Sequence, residues 1–379
     1  MEAARKILQW MQNAGLSARI DAIGNVRGIL ASEKKEARTL VIASHIDTVV
    51  DAGRWDGPLG VLMGLDLLEN RIRLEQPLPF HVELIAFCDE EGVRFQTTYL
   101  GSKVVAGNFD PAVLERIDDQ GVSLATAIRE IGGDPARLAD EAIPPGNWLG
   151  YFEIHIEQGP VLYEKKIPVA AVQAIAGQVR AQASFTGVAG HAGTVPMPLR
   201  ADALCGAAEF VLGLESLAMG AEGRLVATVG RLQILNAAGN VIPGEVSCSV
   251  DIRSADAATL TGAYEQTRTL CKEIGARRDL RTDWHVLLRS PSVPCDPAMS
   301  QLLHRSIRDA GYEALSLVSG AGHDAVPISA VSPVCMLFVR CFKGISHNPL
   351  ENVERDDLAA AIRVADNFIN QLAAINGKT

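Results

Sequence analysis

The chain has few aromatic residues, no C-x-x-C cysteine pair, no cluster of basic residues and no long hydrophobic segment. Aromatic residues make up 5% of the 379 residues, so we expect a mainly aliphatic core. The seven cysteines are an odd number, which argues against a disulfide framework or a cysteine-rich zinc site and favours free thiols in a reducing cytoplasm. No stretch reaches the roughly 20 apolar residues that a membrane span requires, so we expect no membrane partner.

The charge balance is acidic. Asp and Glu number 45 against 35 Lys and Arg, and the formal net charge is -10. No basic run offsets this charge, which argues against a nucleic acid or an anionic membrane as partner and leaves small molecules and other proteins. The first residues enter a helical pattern instead of an apolar leader, so we expect a cytoplasmic protein. The length and the 48% hydrophobic content suggest two domains or one large one.

Two short apolar runs with a helix between them indicate an α/β fold. Residues 39–46 and 81–88 are rich in β-branched side chains and nearly continuous in apolar character, and residues 59–68 have a helical pattern. Buried strands that alternate with helices are typical of a mostly parallel sheet covered on both faces. Both runs end in residues that can bind metals, and ligands of such sheets bind beyond the carboxyl ends of the strands.

A different pattern interrupts this one between about residues 178 and 290. Its predicted order, βαββαβ, is the split βαβ unit of a ferredoxin-like domain. We predict its strands at 178–185, 225–232, 245–252 and 282–288, and its helices at 201–217 and 257–274. The α/β pattern then resumes, with predicted helices at 299–310 and 356–374 and a strand at 335–339. We therefore predict a catalytic domain of residues 1–177 and 291–379 with an inserted domain of residues 178–290.

Imidazole and carboxylate side chains recur at the ends of the predicted strands and in later loops. They are ligands of Zn²⁺, Mn²⁺ and similar divalent metals. Scatter over most of a chain is typical of catalytic sites, whereas structural zinc sites are compact. These residues therefore predict a metal-dependent hydrolase. The candidates are His45, Asp47, Asp56, Glu90, Glu91, His155 and His347.

Taken singly, the early candidates also have ordinary structural explanations. His45 and Asp47 lie on the same side of an extended strand end, so Asp47 could support the imidazole or a nearby ligand. The alternative is a histidine whose hydrogen bonds are simply satisfied at the end of a strand. Asp56 could bridge two cations, or it could cap the next helix.

The later candidates leave similar alternatives open. Glu90 and Glu91 are adjacent on an extended segment and point in opposite directions, so one could bind metal while the other faces substrate and water. They could also form a solvated acidic turn. His155 lies in an apolar run, where burial without a partner is costly, so it is either a ligand or a hydrogen-bonded core histidine. His347 alone would be a surface loop residue.

Together and in this order, the motifs H-x-D, D-G, E-E, H and H-x-P-x-E resemble the M20 metallopeptidase and amidohydrolase superfamily. Three longer segments are similar to its hydantoinase/carbamoylase branch, which includes allantoate amidohydrolases, N-carbamoyl-L-amino-acid hydrolases and β-ureidopropionases. They are His155-Ile156-Glu157-Gln158-Gly159, Gly190-His191-Ala192-Gly193-Thr194-Val195-Pro196-Met197 and Ser319-Gly320-Ala321-Gly322-His323-Asp324-Ala325. The resemblance covers essentially the whole chain. Members of the branch generally have more helical sequence before the part that corresponds to residues 1–15, which leaves the packing of the first helix open.

The resemblance implies an α/β metallohydrolase domain with two divalent metal ions per subunit. Zn²⁺ or Mn²⁺ is expected, and Co²⁺ or Ni²⁺ also suits these ligands. Asp56 would bridge the two ions. One ion would also be held by His45 and His155, and the other by Glu91 and His347.

The implied reaction is hydrolysis of a ureido C–N bond. Two cations lower the pKa of a shared water, and Glu90 would take its proton and return it to the leaving nitrogen, with Asp47 as a supporting catalytic residue. The favoured substrate is allantoate, because residues 338–347 are more similar to allantoate-type and ureidoglycolate-type members. The alternative is an N-carbamoyl-L-amino acid, or the substrate of a β-ureidopropionase or a ureidoglycolate hydrolase. A catalytically silent protein that only binds a ureido ligand would normally have lost one of these residues, and all of them are present.

Substrate contacts are expected largely from the inserted domain, which the resemblance also implies to be the dimerisation and lid domain. Asn240 and Arg253 match positions that bind the substrate carboxylate, and the planar guanidinium of arginine suits that role. His191 matches a catalytic histidine that the neighbouring subunit supplies to polarise the scissile carbonyl, which implies a homodimer. Three other residues would line the pocket, namely Gln158, Gly320 and Gly322, although a tight turn explains the glycines equally well.

Overall fold

The computed structural model describes residues 1–377 and divides the chain into two compact units. Unit 1 contains residues 1–173 together with the described residues from Cys295 onward, and unit 2 contains Ala174–Pro294. None of the described helices is both long and apolar enough to cross a membrane.

The first part of the chain alternates helices and strands. In chain order these elements are α1 (Glu2–Asn13), β1 (Ser17–Ile20), β2 (Val26–Leu30), β3 (Thr39–His45), α2 (Pro58–Arg73), β4 (His81–Phe87), α3 (Leu100–Val105), α4 (Leu124–Glu130), β5 (Trp148–Ile156), α5 (Val161–Lys165) and β6 (Val169–Ile175). Short 3₁₀ helices lie at Pro111–Glu115, Pro135–Glu141 and Pro145–Asn147.

Unit 2 and the remainder of unit 1 follow. Unit 2 contains β7 (Gly177–Thr186), β8 (Gly190–His191), a 3₁₀ helix at Met197–Leu199, α6 (Ala203–Met219), β9 (Val226–Thr228), β10 (Leu232–Ile234), β11 (Val241–Ile242), β12 (Glu245–Ser254), α7 (Ala257–Arg278), β13 (Arg281–Ser290) and β14 (Val293–Pro294). Unit 1 then continues with α8 (Pro297–Asp309), β15 (Ser316–Ser319), α9 (Ala325–Ile328), β16 (Val334–Val339), a 3₁₀ helix at Phe342–Gly344 and α10 (Arg355–Asn376).

The main sheet of unit 1 has the strand order β1-β2-β4-β3-β5-β16-β6. Its central strands are parallel, because β3 pairs in parallel with β4 and β5, and β5 pairs in parallel with β16. The outer pairs β1–β2, β2–β4 and β16–β6 are antiparallel. The predicted fold class, with a largely parallel sheet, is therefore confirmed at the centre of the sheet, and antiparallel strands extend it on both sides.

The core of unit 1 lies between this sheet and the helices that cover it. Strands β3, β4 and β16 are buried along almost their whole length, as expected for central parallel strands. Helix α1 contributes Ala4, Ile7 and Met11 to the same core, so the first helix is packed. Helix α2 lies very close to β5, because a Cβ at Gly60 would collide with the carbonyl oxygen of Ile154.

Unit 2 is built on an antiparallel sheet with the strand order β10-β12-β7-β13, and β9 also pairs with β12. The two helices α6 and α7 supply its core together with the sheet. This is the predicted βαββαβ arrangement with one correction. The segment 225–232, predicted as a single strand, contains the short strand β9 (Val226–Thr228) and only the first residue of β10 (Leu232–Ile234). Between them the Arg231 amide donates to the Ser249 hydroxyl (2.9 Å), while the Ser249 amide donates to the Arg231 carbonyl oxygen (2.9 Å).

Candidate active site

Two neighbouring parallel strands each carry a candidate histidine at the carboxyl end. His45 is the last residue of β3, His155 is the penultimate residue of β5, and both are 2% exposed. The Nδ1 atom of each ring lies 2.9 Å from a backbone carbonyl oxygen, that of Asp47 for His45 and that of Ile156 for His155. A carbonyl oxygen can only accept, so each Nδ1 carries the hydrogen and each Nε2 keeps its lone pair.

The Nε2 atoms of His45 and His155 face each other at 3.5 Å. Two lone pairs at this separation repel, and a cation between them removes the conflict. Asp56 adds a carboxylate oxygen 3.3 Å from His155 Nε2, and one ligand atom from each of the three side chains lies within 4.8 Å of the others. Burial lowers the pKa of His155 and keeps its ring neutral, as metal binding requires. This donor set fits a divalent cation.

A second set of ligand-type atoms shares the same aspartate. His347 Nε2 lies 3.0 Å from Asp56 Oδ2 and 3.2 Å from Glu91 Oε1. These hydrogen bonds, first to Asp56 and then to Glu91, raise the pKa of His347 to about 10. Burial opposes ionisation of Asp56, but the hydrogen bond from His347 and the nearby imidazoles of His155 and His45 hold its pKa well below the usual range. Asp56 thus has the placement of a bridging carboxylate.

Asp56 is not the cap of the following helix. The N-cap of α2 is Gly57, and no side chain caps that helix. Gly57 has a φ of +86°, and a Cβ there would lie 2.5 Å from His45 Nδ1. Only glycine therefore allows the imidazole of His45 to lie against this turn.

Two residues that the sequence analysis left without a role hold Asp56 in place. Glu351 Oε1 accepts hydrogen bonds from the amides of Trp55 (2.6 Å) and Asp56 (3.0 Å). The Ser346 hydroxyl lies 2.9 Å from Asp56 Oδ2 and 3.1 Å from Glu351 Oε2. Glu351 is the last residue of the H-x-P-x-E segment that begins at His347, and Ser346 directly precedes it, so the motif contained a signal for Glu351.

The carboxylate of Asp47 fixes the backbone of the acidic pair. Its Oδ1 accepts from the Glu90 amide at 3.0 Å and its Oδ2 from the Glu91 amide at 3.1 Å. The nearest approach of this carboxylate to His45 Nδ1 is 3.7 Å, so the carbonyl of Asp47, and not its side chain, orients that ring. Glu90 is 6% exposed, which excludes a solvated turn at this position. Burial, reinforced by the carboxylates of Asp324 and Glu91, raises the pKa of Glu90 well above its usual range.

A buried polar cluster lies beside His155. The ring of His323 packs edge-on against that of His155 at a centroid distance of 4.6 Å, and its Nε2 bonds Ser319 Oγ at 2.6 Å. Glu153 accepts a hydrogen bond from Tyr151 at 2.9 Å, and burial raises its pKa to about 8. The sequence analysis assigned no role to this cluster. In the part of the chain that the structure describes, three of its buried atoms have no hydrogen-bond partner: Glu153 Oε1, His323 Nδ1 and Asp324 Oδ2.

The three predicted pocket residues of unit 1 have different surroundings. Gln158, with a φ of +57°, places its amide nitrogen 3.0 and 2.9 Å from the two carboxylate oxygens of Asp56. A Cβ at Gly322 would collide with the hydroxyl group of Tyr99, so a side chain there would require Tyr99 to move. A Cβ at Gly320 would meet open space. Gln158 therefore joins the histidine and carboxylate groups.

The remaining candidates belong to unit 2. His191 ends β8, which pairs with β11 opposite Val241, and the carbonyl oxygen of Asn240 accepts from the Ala192 amide at 2.9 Å. The backbones at His191 and Asn240 are thus hydrogen-bonded neighbours. Arg253 on β12 forms two 2.8 Å hydrogen bonds to the carboxylate of Asp251, which orients its guanidinium.

Comparisons with known proteins agree on one family. The model of peptidase family M20/M25/M40 matches residues 41–371. A probable allantoate deiminase of Oryza sativa subsp. japonica is 38% identical over 413 aligned residues, which cover 98% of this chain and 82% of that protein. An N-carbamoyl-L-amino acid amidohydrolase of Geobacillus stearothermophilus is 35% identical over 367 residues, which cover 97% of this chain and 90% of that protein. Among solved structures, an amidase of the hydantoinase/carbamoylase family from Burkholderia multivorans has a TM-score of 0.91 and 32% identity, with coverage of 97% of this chain and 89% of that one.

Proposed function

The chain belongs to peptidase family M20/M25/M40, in its hydantoinase/carbamoylase branch, and from this membership we propose that it hydrolyses the terminal ureido C–N bond of allantoate. It is a metal-dependent hydrolase that acts on C–N bonds. The observation that carries the proposal is the pair of histidine and carboxylate groups that share Asp56. Similarity to an allantoate deiminase at 38% identity favours the substrate.

The proposed metal ligands divide into two sets around the shared carboxylate of Asp56. His45 and His155 form one set with it, and Glu91 and His347 form the other. Two divalent cations, Zn²⁺ or Mn²⁺ with Co²⁺ or Ni²⁺ as alternatives, would lower the pKa of a water and stabilise the charge that develops on the substrate carbonyl oxygen.

Glu90 is proposed to move the proton. Glu90 is buried, and its backbone amide donates a hydrogen bond to Asp47. Its side chain therefore starts from a fixed backbone position close to the proposed metal ligands. As the base it would take a proton from a water and return that proton to the leaving nitrogen. Asp47 acts in this proposal by positioning Glu90 and Glu91.

Recognition of the substrate is proposed to involve Arg253, Asn240 and His191, with Gln158, Gly320 and Gly322 along the pocket. The Asp251 carboxylate orients the guanidinium of Arg253, which suits a bidentate contact with the carboxylate of a ureido acid. We further propose a homodimer formed through unit 2, with His191 acting in the site of the partner subunit. A molar mass of twice that of the chain in light scattering is the expected result. The cytoplasmic location stays a prediction.

The second candidate function is hydrolysis of N-carbamoyl-L-amino acids. It is favoured by the 35% identity to a protein with that activity in its name, over 97% of this chain. Both substrates carry a terminal ureido group and a carboxylate, so the ligand groups and Glu90 do not discriminate between them.

Steady-state hydrolysis separates the candidates. The protein is loaded with Zn²⁺ or Mn²⁺ and offered allantoate and a panel of N-carbamoyl-L-amino acids, with release of ammonia as the readout. We expect the highest kcat/KM for allantoate, a metal content near two per chain, and loss of turnover in Glu90→Ala. Turnover of N-carbamoyl-L-amino acids without turnover of allantoate would reassign the substrate, and inactivity on every ureido compound would refute the function.

A further inference from the structure

The loop after His191 determines which ring nitrogen of that histidine carries the hydrogen. The backbone amide of Gly193 lies 3.0 Å from His191 Nδ1 and donates a hydrogen bond to it. An amide can only donate, so Nδ1 is the acceptor, and the neutral ring carries its hydrogen on Nε2. His191 is exposed, and within the described residues no other hydrogen bond engages its ring. The Nε2–H group is therefore available to an acceptor from outside this loop.

Arg200 holds the backbone on both sides of Gly193. Its Nη2 donates to the carbonyl oxygen of Ala192 at 2.6 Å, and its Nε donates to that of Val195 at 3.0 Å. The rigid guanidinium thus spans the short segment that contains the Gly193 amide. Arg200 is partly buried, and among the residues described it forms no ion pair with a carboxylate. Both of these side-chain hydrogen bonds go to this loop.

The glycine itself leaves little room between the loop and the ring. A Cβ at Gly193 would lie 3.3 Å from Cε1 and 3.5 Å from Nδ1 of His191, so a side chain there would press on the ring. On the other side, the Ala192 amide donates to the Asn240 carbonyl oxygen at 2.9 Å. The position of the Gly193 amide is therefore determined by Arg200 and by the segment that leads into β11.

We propose that Arg200 is a positioning residue that keeps His191 oriented with Nε2–H as the donor for the carbonyl oxygen of a ureido substrate. The catalytic part of this inference depends on the proposed function, whereas the state of the ring is a property of unit 2 by itself. Without Arg200 the loop would become more mobile, and the Gly193 amide would lose its hydrogen bond to His191 Nδ1. The ring would then rotate and exchange its hydrogen between the two nitrogens, so fewer molecules would present Nε2–H.

The test combines a spectroscopic readout with kinetics in the full-length protein. In ¹⁵N-histidine-labelled protein above the titration range of imidazole, with His191→Gln used to assign the signals, we expect a bare Nδ1 and a protonated Nε2 for His191. In Arg200→Gln the two nitrogen shifts should move toward each other. Its kcat/KM should fall about 10-fold, which is less than the roughly 100- to 1000-fold cost of removing a carbonyl-polarising donor itself.

Matched variants separate positioning from general damage. Arg200→Lys, which can reach a single carbonyl, should give intermediate nitrogen shifts and activity. Arg224→Gln removes a comparable bond from an arginine to the Ala221 carbonyl (3.3 Å) and should change neither readout. If Arg200→Gln does not fold, Gly193→Ala gives a second route, because its methyl group should displace the ring and shift the same signals.

The outcomes are distinct. Unchanged His191 signals in Arg200→Gln, with or without loss of activity, would overturn the inference. So would unchanged signals in Gly193→Ala, if that variant has to be used. Shifted His191 signals together with inactivity of the wild-type protein on every ureido compound would support the role of Arg200 in the loop and refute the proposed function.

Discussion

Replacement of Asp47 by asparagine tests whether this carboxylate positions the acidic pair. Its two oxygens accept from the amides of Glu90 and Glu91 at 3.0 and 3.1 Å, and the side chain is 24% exposed. Asparagine keeps one acceptor but turns an NH₂ group toward the other amide, so one hydrogen bond is lost. A hydrogen bond to a charged group contributes about 1.5 to 3 kcal/mol. Because about 1.4 kcal/mol corresponds to a tenfold change in rate, we expect kcat/KM to fall about 10- to 100-fold.

The assay compares kcat/KM, metal affinity and the urea midpoint of Asp47→Asn with those of the wild type. Asp296→Asn is a matched control, because Asp296 Oδ1 also accepts a backbone amide, that of Met299 at 2.8 Å, at the start of α8. Asparagine caps helices about as well as aspartate, so this control should leave all three quantities nearly unchanged. Wild-type kcat/KM and metal affinity in Asp47→Asn would refute the positioning role of Asp47.

Three further predictions follow from the same geometry. Glu90→Gln should lower kcat about 100- to 10,000-fold with little change in metal content, because glutamine cannot take the proton; elemental analysis of the purified variant checks the second part, and normal turnover would contradict the role of base. Glu351→Ala removes the oxygen that accepts the amides of Trp55 and Asp56, so metal affinity in a competition titration should fall about 10- to 100-fold, and unchanged affinity would contradict this support. Gly60→Ala should destabilise the protein strongly in urea, whereas Gly262→Ala, in α7 with nothing near the added methyl, should stabilise it by about 1 kcal/mol; equal effects would contradict the packing argument.

The sequence predicts those elements of the fold whose pattern is local. The run at 39–46 corresponds to Thr39–His45, and that at 81–88 to His81–Phe87, because continuous burial on a central strand leaves a continuous apolar segment. The end of β9 at Thr228, inside the predicted strand 225–232, has no such signature. Just beyond it the Arg231 amide donates to the hydroxyl of Ser249, which lies on another strand. The antiparallel strands β1 and β2 at one side of the sheet are also weakly marked, since they are short and only partly buried.

The residues of the site also divide into those that a local sequence motif identifies and those that only contacts between remote parts of the chain bring together. The motifs identify the residues that end β3 and β5, and the parallel pairing of these strands explains why His45 and His155 meet. The cluster beside them depends on contacts between remote parts of the chain. Glu153, for example, accepts the amide of Ala325 at 3.2 Å across 172 positions of sequence. No local pattern distinguishes such a glutamate from a residue of an ordinary apolar strand.

The concentration of buried acids around these strand ends calls for a compensating charge. Burial, assisted by neighbouring carboxylates, raises the pKa of Asp89 to about 6 and that of Asp324 well above its usual range. Ionised carboxylates that repel one another in this way lower the stability of the folded protein. Such unfavourable groupings of residues usually occur at functional sites. The shared carboxylate of Asp56 differs from these acids: burial opposes its ionisation, but the hydrogen bond from His347 and the nearby imidazoles of His155 and His45 hold its pKa below the usual range. Divalent cations held between the two ligand sets would act in the same sense and more strongly, so the acidic cluster and the proposed metal ligands are best understood as one electrostatic unit.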